Sequence, residues 1–275
     1  MDTVLPNLVT EADRRAYDED GVVLISQAID PTDLEGLRGA VDAELSARAR
    51  KQFSFGKTES TFRGSQDMWR ADTTFSQVCT QSDLPRISAA LMGSDKINMF
   101  FDHLFVKEPG SSYVTSWHND VPYWPVKGKK IISLWLALDD VTLESGALIF
   151  CLGSHKWDFA FQPRTFAHTE DGNTPDQELK TALEGTNYPV ETRAFPMKAG
   201  DVLAFDAMAI HCAGPNTLKD RMRRGYAIRY TGDDVSYDPR PGVHKMMLEP
   251  GLVPGGPIDS QRYPVVYRRT GASVS

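Results

Sequence analysis

In the run Ser116-Trp117-His118-Asn119-Asp120, His118 and Asp120 stand two residues apart, so on an extended strand both would project to one side. That placement offers an imidazole and a carboxylate to a single ion. By itself the pattern has a plain alternative, a surface histidine lying near an aspartate. A second histidine, His211, closes the run Gly200-Asp201-Val202-Leu203-Ala204-Phe205-Asp206-Ala207-Met208-Ala209-Ile210-His211, where a β-type stretch and an apolar approach lead to one imidazole. Alone, it reads as readily as a core histidine. A histidine at the end of such a strand can complete, with His118 and Asp120, a two-histidine, one-carboxylate set of metal-ligating and catalytic residues. Such a set leaves positions open on a metal, as oxygen-activating iron(II) requires: two for a chelating co-substrate and one for dioxygen.

Further along, Arg221-Met222-Arg223-Arg224-Gly225-Tyr226-Ala227-Ile228-Arg229-Tyr230 alternates. Arg223, Gly225, Ala227 and Arg229 fall on one side, and Arg224, Tyr226, Ile228 and Tyr230 on the other. An arginine turned inward is costly unless it meets an anion, and its planar fork suits a carboxylate. The ordinary alternative is an arginine facing solvent. Directly after the first motif, Val121-Pro122-Tyr123-Trp124-Pro125 sets two rings at the expected pocket mouth, which makes Tyr123 and Trp124 candidate substrate contacts. Asp102 and His103 face opposite sides of their strand, so one of them should also reach the substrate. Thr115, before the motif, and Trp135, which shares a strand face with Ser133, are candidate cofactor contacts. For each of these the alternative is core packing.

The elements that must position these residues change character along the chain. Thr10 with Asp13 reads as the start of a short helix closed by Gly21. Asp30-Pro31 opens a second helix with the stripe Leu34, Leu37, Val41 and Leu45, and Leu84, Ile87 and Leu91 mark a third that ends at Gly93. From residue 97 the pattern becomes short β-type runs at 98–107, 130–138, 147–151, 202–206 and 224–231, separated by turns such as Glu108-Pro109-Gly110 and Glu144-Ser145-Gly146. Residues 158–188 are polar and read as an insertion loop able to form a lid. Many short strands after a helical start predict a mainly β protein with flanking helices and a jelly-roll core. We expect a single domain over 1–275: a helical N-terminal third, a core at about 97–231 and a C-terminal extension at 232–275.

Composition narrows the function classes. A formal net charge of −7 with no long basic run argues against nucleic acid as a partner. No stretch approaches the roughly 20 apolar residues of a membrane span, and the acidic, polar start is unlike a signal peptide, so a cytoplasmic protein is expected. Three cysteines, Cys79, Cys151 and Cys212, suit a reducing compartment. Cys212 would be open to oxidation if a redox-active metal sat beside it.

Order and context make these signals specific. From Tyr17-Asp18-Glu19-Asp20-Gly21 through Phe105-Val106-Lys107-Glu108-Pro109-Gly110, Trp117-His118-Asn119-Asp120, Gly153-Ser154-His155-Lys156 and His211-Cys212-Ala213-Gly214-Pro215-Asn216-Thr217, the chain resembles the phytanoyl-CoA dioxygenase (PhyH-like) family of iron(II)/2-oxoglutarate-dependent oxygenases. The resemblance implies a double-stranded β-helix (cupin-like) core, with Fe(II), 2-oxoglutarate as co-substrate and O2. It also implies His118, Asp120 and His211 as metal ligands and Arg223 as partner of the 2-oxoglutarate carboxylate. The loop 217–222 is one residue longer than the family pattern, which leaves Arg223 and Arg224 both open for that role. His155 is read as structural. The reaction implied is hydroxylation of an unactivated C–H bond of a small, secondary-metabolite-like molecule, with release of succinate and CO2. Asp120 in the third ligand position favours this over halogenation. Desaturation, epoxidation or ring formation with the same cofactors is one alternative. A metal-binding jelly roll without oxygen chemistry is another, and it leaves an inward arginine unexplained. Substrate identity and oligomeric state stay open.

Overall fold

The computed structural model describes residues 8–47, 53–54, 62–162 and 175–269. At the N-terminus a reciprocal cap forms, Asp13 N donating to Thr10 Oγ1 at 3.1 Å and Thr10 N to Asp13 Oδ2 at 2.8 Å. It starts α1 (Glu11–Asp20), which ends at Gly21 in the left-handed region, φ 78°. Among the described residues five more helices follow: α2 (Pro31–Ala47), α3 (Met68–Ala71), α4 (Thr73–Gln81), α5 (Leu84–Met92) and α6 (Pro175–Ala182). Of these, α3 and α4 are not evident in the sequence. In α4 only Phe75, Val78 and Cys79 are buried apolar positions, on one narrow stripe, and Thr, Ser and Gln fill the rest.

The strands are β1 (Val22–Ile25), β2 (Phe53–Ser54), β3 (Phe62–Gln66), β4 (Lys96–Lys107), β5 (Thr115–His118), β6 (Val126–Lys127), β7 (Ile131–Ala137), β8 (Leu148–Cys151), β9 (Thr192–Phe195), β10 (Val202–Asp206), β11 (His211–Ala213), β12 (Arg223–Thr231), β13 (Ser236–Tyr237) and β14 (Val265–Arg268). The large sheet runs β1-β10-β7-β12-β4-β3-β2, with β14 also on β4, and the smaller one runs β5-β11-β8-β9. All pairings in both are antiparallel. This is the expected class, a mainly β jelly roll with flanking helices.

Two apolar layers hold it together. On the outer face of the large sheet, Leu104, Leu134, Leu136, Tyr226 and Ile228 pack on Leu37, Val41, Phe75 and Ile87 of the helices. Between the sheets, Trp135, Phe150, Leu203, Phe205 and Ala227 form a second layer. The segment 158–188 is not simply a loop: α6 packs Leu179 against Trp117 and Ile210 on the far side of the small sheet. Phe161 N donates to Asn119 Oδ1 at 2.9 Å, fixing the same segment to the His118 motif. Residues 163–174, which belong to the expected lid, lie outside the described residues. Among the described residues no helix is long and apolar enough to cross a membrane.

One buried acid sits in the outer layer. Asp102 is fully buried, and its Oδ2 accepts from the Tyr226 hydroxyl at 2.6 Å and from Trp69 N at 3.1 Å. Burial pushes its carboxyl up to about 7 against these bonds. The unfolded chain ionises near pH 4, so between about pH 4 and 7 the native state holds a proton that the unfolded state has lost. Stability therefore falls as pH rises through that window, by at most about 1.4 kcal/mol per pH unit for this group. Asp206, also pushed up to about 7 by burial, adds a slope of the same sign. Asp102→Asn keeps an acceptor for Tyr226, and urea midpoints from pH 4 to 8 should show a shallower decline than in the unaltered protein. An unchanged slope would place the titration elsewhere.

Candidate active site

The site is built where the small sheet faces the large one. β5 ends at His118 and β11 begins at His211, and the two residues are register partners across the ladder. Their rings lie 4.2 Å apart between centroids. Each imidazole is aimed by a main-chain carbonyl two residues earlier: His118 Nδ1 meets Ser116 O at 2.9 Å and His211 Nδ1 meets Ala209 O at 3.0 Å. These bonds assign the proton to Nδ1 and turn both Nε2 atoms toward one point. Asp120 follows β5 with its amide tied to Ala207 O at 2.9 Å. Its Oδ1 lies 3.6 Å from His118 Nε2, while Oδ2 accepts from Ser133 Oγ at 2.8 Å. One ligand atom from each of the three residues lies within 4.8 Å of the other two. Asn119 turns away, donating to Met208 O at 2.6 Å.

The electrostatics suit a cation. Burial, reinforced by the neighbouring His118, pushes His211 down to about 3, so its ring is neutral and its lone pair free. Burial opposes ionisation of Asp120, but the Arg229 charge, foremost among the opposing influences around it, helps to outweigh burial and hold the carboxyl far below the usual range. Two imidazoles and one carboxylate, all buried and convergent, can hold a divalent metal of the iron(II) kind with positions left open.

Beside this cluster is a cavity of about 690 Å³. Its lining includes His118, Asp120 and His211, and also Arg223, Thr115, Trp135, Tyr123, Trp124 and His103. Asp102 is not in it: in the β4 ladder it faces the helices, as its bonds to Tyr226 and Trp69 require. Of that pair, His103 is the inward residue. Arg223 and Arg224 separate in the same way. Arg224 donates to Asp139 through Nε at 2.9 Å and Nη2 at 2.7 Å and to Asp42 through Nη1 at 2.7 Å, all outside the cavity. Arg223 is buried, its guanidinium 5.3 Å from the Trp135 ring centroid and its Nη2 on Gly146 O at 3.3 Å. Its Nε has no hydrogen-bond partner, an orphaned donor beside the metal-type cluster that a carboxylate would satisfy.

Several lining residues escape a reading of the sequence. Gln66 comes from β3, a short strand between β4 and the two-residue β2 without alternating apolar residues, and His244 from the C-terminal extension. The His244 amide donates to Tyr123 O at 2.8 Å, and its ring stacks on Tyr123 at 5.5 Å. Arg229 lines the cavity too, and the alternation of its strand already put it on the Arg223 side. Lys107, the register partner of Arg223, is fully buried and donates to the Gly214 carbonyl. Burial and then the Arg223 charge push its amine well down.

Gly225 makes the floor possible. A Cβ built there would lie 1.8 Å from Cζ2 of Trp135. Gly225→Ala should drive the indole off the sheet, disturb Arg223 behind it and cost about 1–3 kcal/mol of stability, read as a lower urea midpoint. A midpoint equal to that of the unaltered protein would mean the indole has room to spare.

With this geometry established, comparison with known proteins gives consistent matches. The family model for phytanoyl-CoA dioxygenase (PhyH) matches residues 17–225. A probable phytanoyl-CoA dioxygenase of Caenorhabditis elegans is 24% identical over 251 residues, covering 83% of this chain and 77% of that protein. Among solved structures, the non-heme alpha-ketoglutarate-dependent carbocyclase SnoK from nogalamycin biosynthesis superposes with TM-score 0.74 at 22% identity, over 94% of this chain and 96% of its own. The epimerase SnoN, in complex with Fe3+, alpha-ketoglutarate and nogalamycin RO, gives 0.71 at 23% identity, over 93% and 98%.

Proposed function

This chain belongs to the phytanoyl-CoA dioxygenase family of iron- and 2-oxoglutarate-dependent oxygenases, and from that premise we propose that it hydroxylates a C–H bond of a small molecule held in the 690 Å³ cavity. The observation that carries the reading is the convergence of His118, Asp120 and His211 beside the buried, incompletely bonded Arg223. In this reading His118, Asp120 and His211 hold Fe(II), and Arg223 holds the distal carboxylate of 2-oxoglutarate, with Thr115 and Trp135 against the same co-substrate. Once bound, iron and 2-oxoglutarate supply dioxygen activation and the oxidising power for hydroxylation, 2-oxoglutarate leaving as succinate and CO2.

The chain's own residues do the positioning. Ser116 and Ala209 carbonyls fix the two imidazoles, so neither ring must reorient when metal arrives. Ser133 donates to one oxygen of Asp120, and the other would be the one offered to a metal. Phe101, Phe105 and Trp124 wall the cavity and exclude water from the reacting end. Tyr123 and Trp124 receive the apolar part of the substrate, and His103 meets a polar part of it. The whole chain acts as one domain in this reading. It works on a soluble small molecule in the cytoplasm, with neither nucleic acid nor membrane as partner.

The test is an anaerobic titration of the metal-free protein with Fe(II) and then 2-oxoglutarate, following the visible charge-transfer band of a chelated keto acid. The band should appear with 2-oxoglutarate and be absent with succinate. No band in the intact protein would sink the oxygenase chemistry. Product analysis by mass after a succinate-release screen then separates oxygen insertion from loss of hydrogen.

A further inference from the structure

Given the cofactors proposed above, one charge at the cavity has no counterpart. Iron(II) with Asp120 and the chelating carboxylate of 2-oxoglutarate is neutral as a unit. The distal carboxylate with Arg223 is neutral as a second unit. Arg229 is left over. It lies on the inward face of β12, opposite Phe101 on one side and Ser133 on the other, and is 6% exposed. Its Nε and Nη1 have no hydrogen-bond partner. The nearest carboxylate oxygen, Asp120 Oδ2, is 3.8 Å from Nε, too far for a hydrogen bond, and already accepts from Ser133.

Other groups do not fill the gap. Asp102, across the sheet, gives its Oδ2 to Tyr226 and Trp69, and its Oδ1 bonds to nothing. The guanidinium carbon lies 5.5 Å from the Phe101 centroid, 5.6 Å from Trp124 and 6.0 Å from Phe105. Aromatic faces offset part of the cost of burying a cation, but they leave its N–H donors unmet. Two further unpartnered polar atoms, His103 Nε2 and Gln66 Oε1, belong to register partners on β4 and β3 that line the same cavity. An unmatched buried cation with aromatic walls and two spare polar atoms is the pattern of a site for an organic anion.

We propose that Arg229 anchors a carboxylate of the primary substrate, so that the enzyme takes a small aromatic or alicyclic monocarboxylic acid, with His103 and Gln66 serving a second polar group on it. A single uncompensated charge favours a carboxylate over a phosphate monoester, which carries more negative charge near neutral pH. The substrate acid and 2-oxoglutarate then occupy separate arginines at opposite ends of one strand.

The proposal rests on the oxygenase reading, and its test is arranged to keep the two apart. Protein loaded with Zn(II) in place of iron, with saturating 2-oxoglutarate, is titrated calorimetrically with phenylacetate, cinnamate and 3-phenylpropionate, each beside its primary amide. At least one acid should bind about tenfold or more tighter than its amide, the advantage of a charge-assisted hydrogen bond. Arg229→Gln should remove that preference, and Arg229→Lys should keep most of it. Amides binding as well as the acids, no acid binding, or a preference that survives Arg229→Gln would each overturn the proposal. The intact protein's acid-to-amide ratio decides even if Arg229→Gln fails to fold. The Fe(II)/2-oxoglutarate band on the same preparation separates the failures: band present without acid preference removes only the anion site, and band absent removes the cofactor reading itself.

Discussion

Replacing His211 by alanine should abolish iron retention and lower succinate release by about 1000-fold or more, the scale on which removing an essential catalytic group acts. The expectation follows from how the ligand is held. His211 is buried between Phe150 and Phe205, whose ring centroids lie 5.3 and 4.8 Å from its own, and neither of these apolar neighbours can replace the lost nitrogen. Iron content after equilibrium dialysis measures the first effect and a coupled succinate assay the second. His211→Gln, which keeps volume in the same apolar wall, guards against reading a folding defect as a ligand defect. Iron held by His211→Ala within tenfold of the unaltered protein would remove this residue from the metal set.

The second large effect concerns the two adjacent arginines. Arg223→Ala should raise the 2-oxoglutarate concentration needed for the charge-transfer band by about 100-fold, since truncating one member of a buried charge pair costs about 2–5 kcal/mol. Arg224→Ala should leave that concentration within about threefold, because its guanidinium is spent on Asp139 and Asp42 on the other side of the sheet. Half-maximal band intensity in the two variants discriminates cleanly. If Arg224→Ala were the one to shift, the co-substrate would have to bind on the helical side of the sheet, away from the cavity that Arg223 lines.

Much of this site was legible in the sequence because it lies on strands, where a spacing of two fixes a common face. The inward row Arg223, Gly225, Ala227 and Arg229 needed only that rule, whereas β5 ends at His118 and Asp120 follows it with helical backbone angles, so that pair converges without the extended strand the spacing suggested. Asp102 against His103 could not be decided so simply: alternation says that they diverge, and only the helices packed behind β4 say which of them is outside. The contributions of Gln66 and His244 were hidden for another reason. Each reaches the cavity through long-range pairing, Gln66 across β4 and His244 by a main-chain bond to Tyr123, and neither local pattern reports such contacts. The segment 158–188 misled through composition, since its helix α6 is mostly polar and turns Leu179 into the apolar cluster of Trp117, Cys151 and Ile210.

The way the two imidazoles are held bears on how such a protein can diversify. Ser116 and Ala209 orient them through main-chain carbonyls, which any amino acid at those positions would supply. The cavity walls, by contrast, are side chains, drawn from β3, β4, β12, the segment after β5 and the C-terminal extension. Mutation can therefore explore the recognition surface while the reactive centre keeps its aim. For directed evolution this marks Gln66, His103 and His244 as positions to randomise first, with the carbonyl-bearing turns left alone.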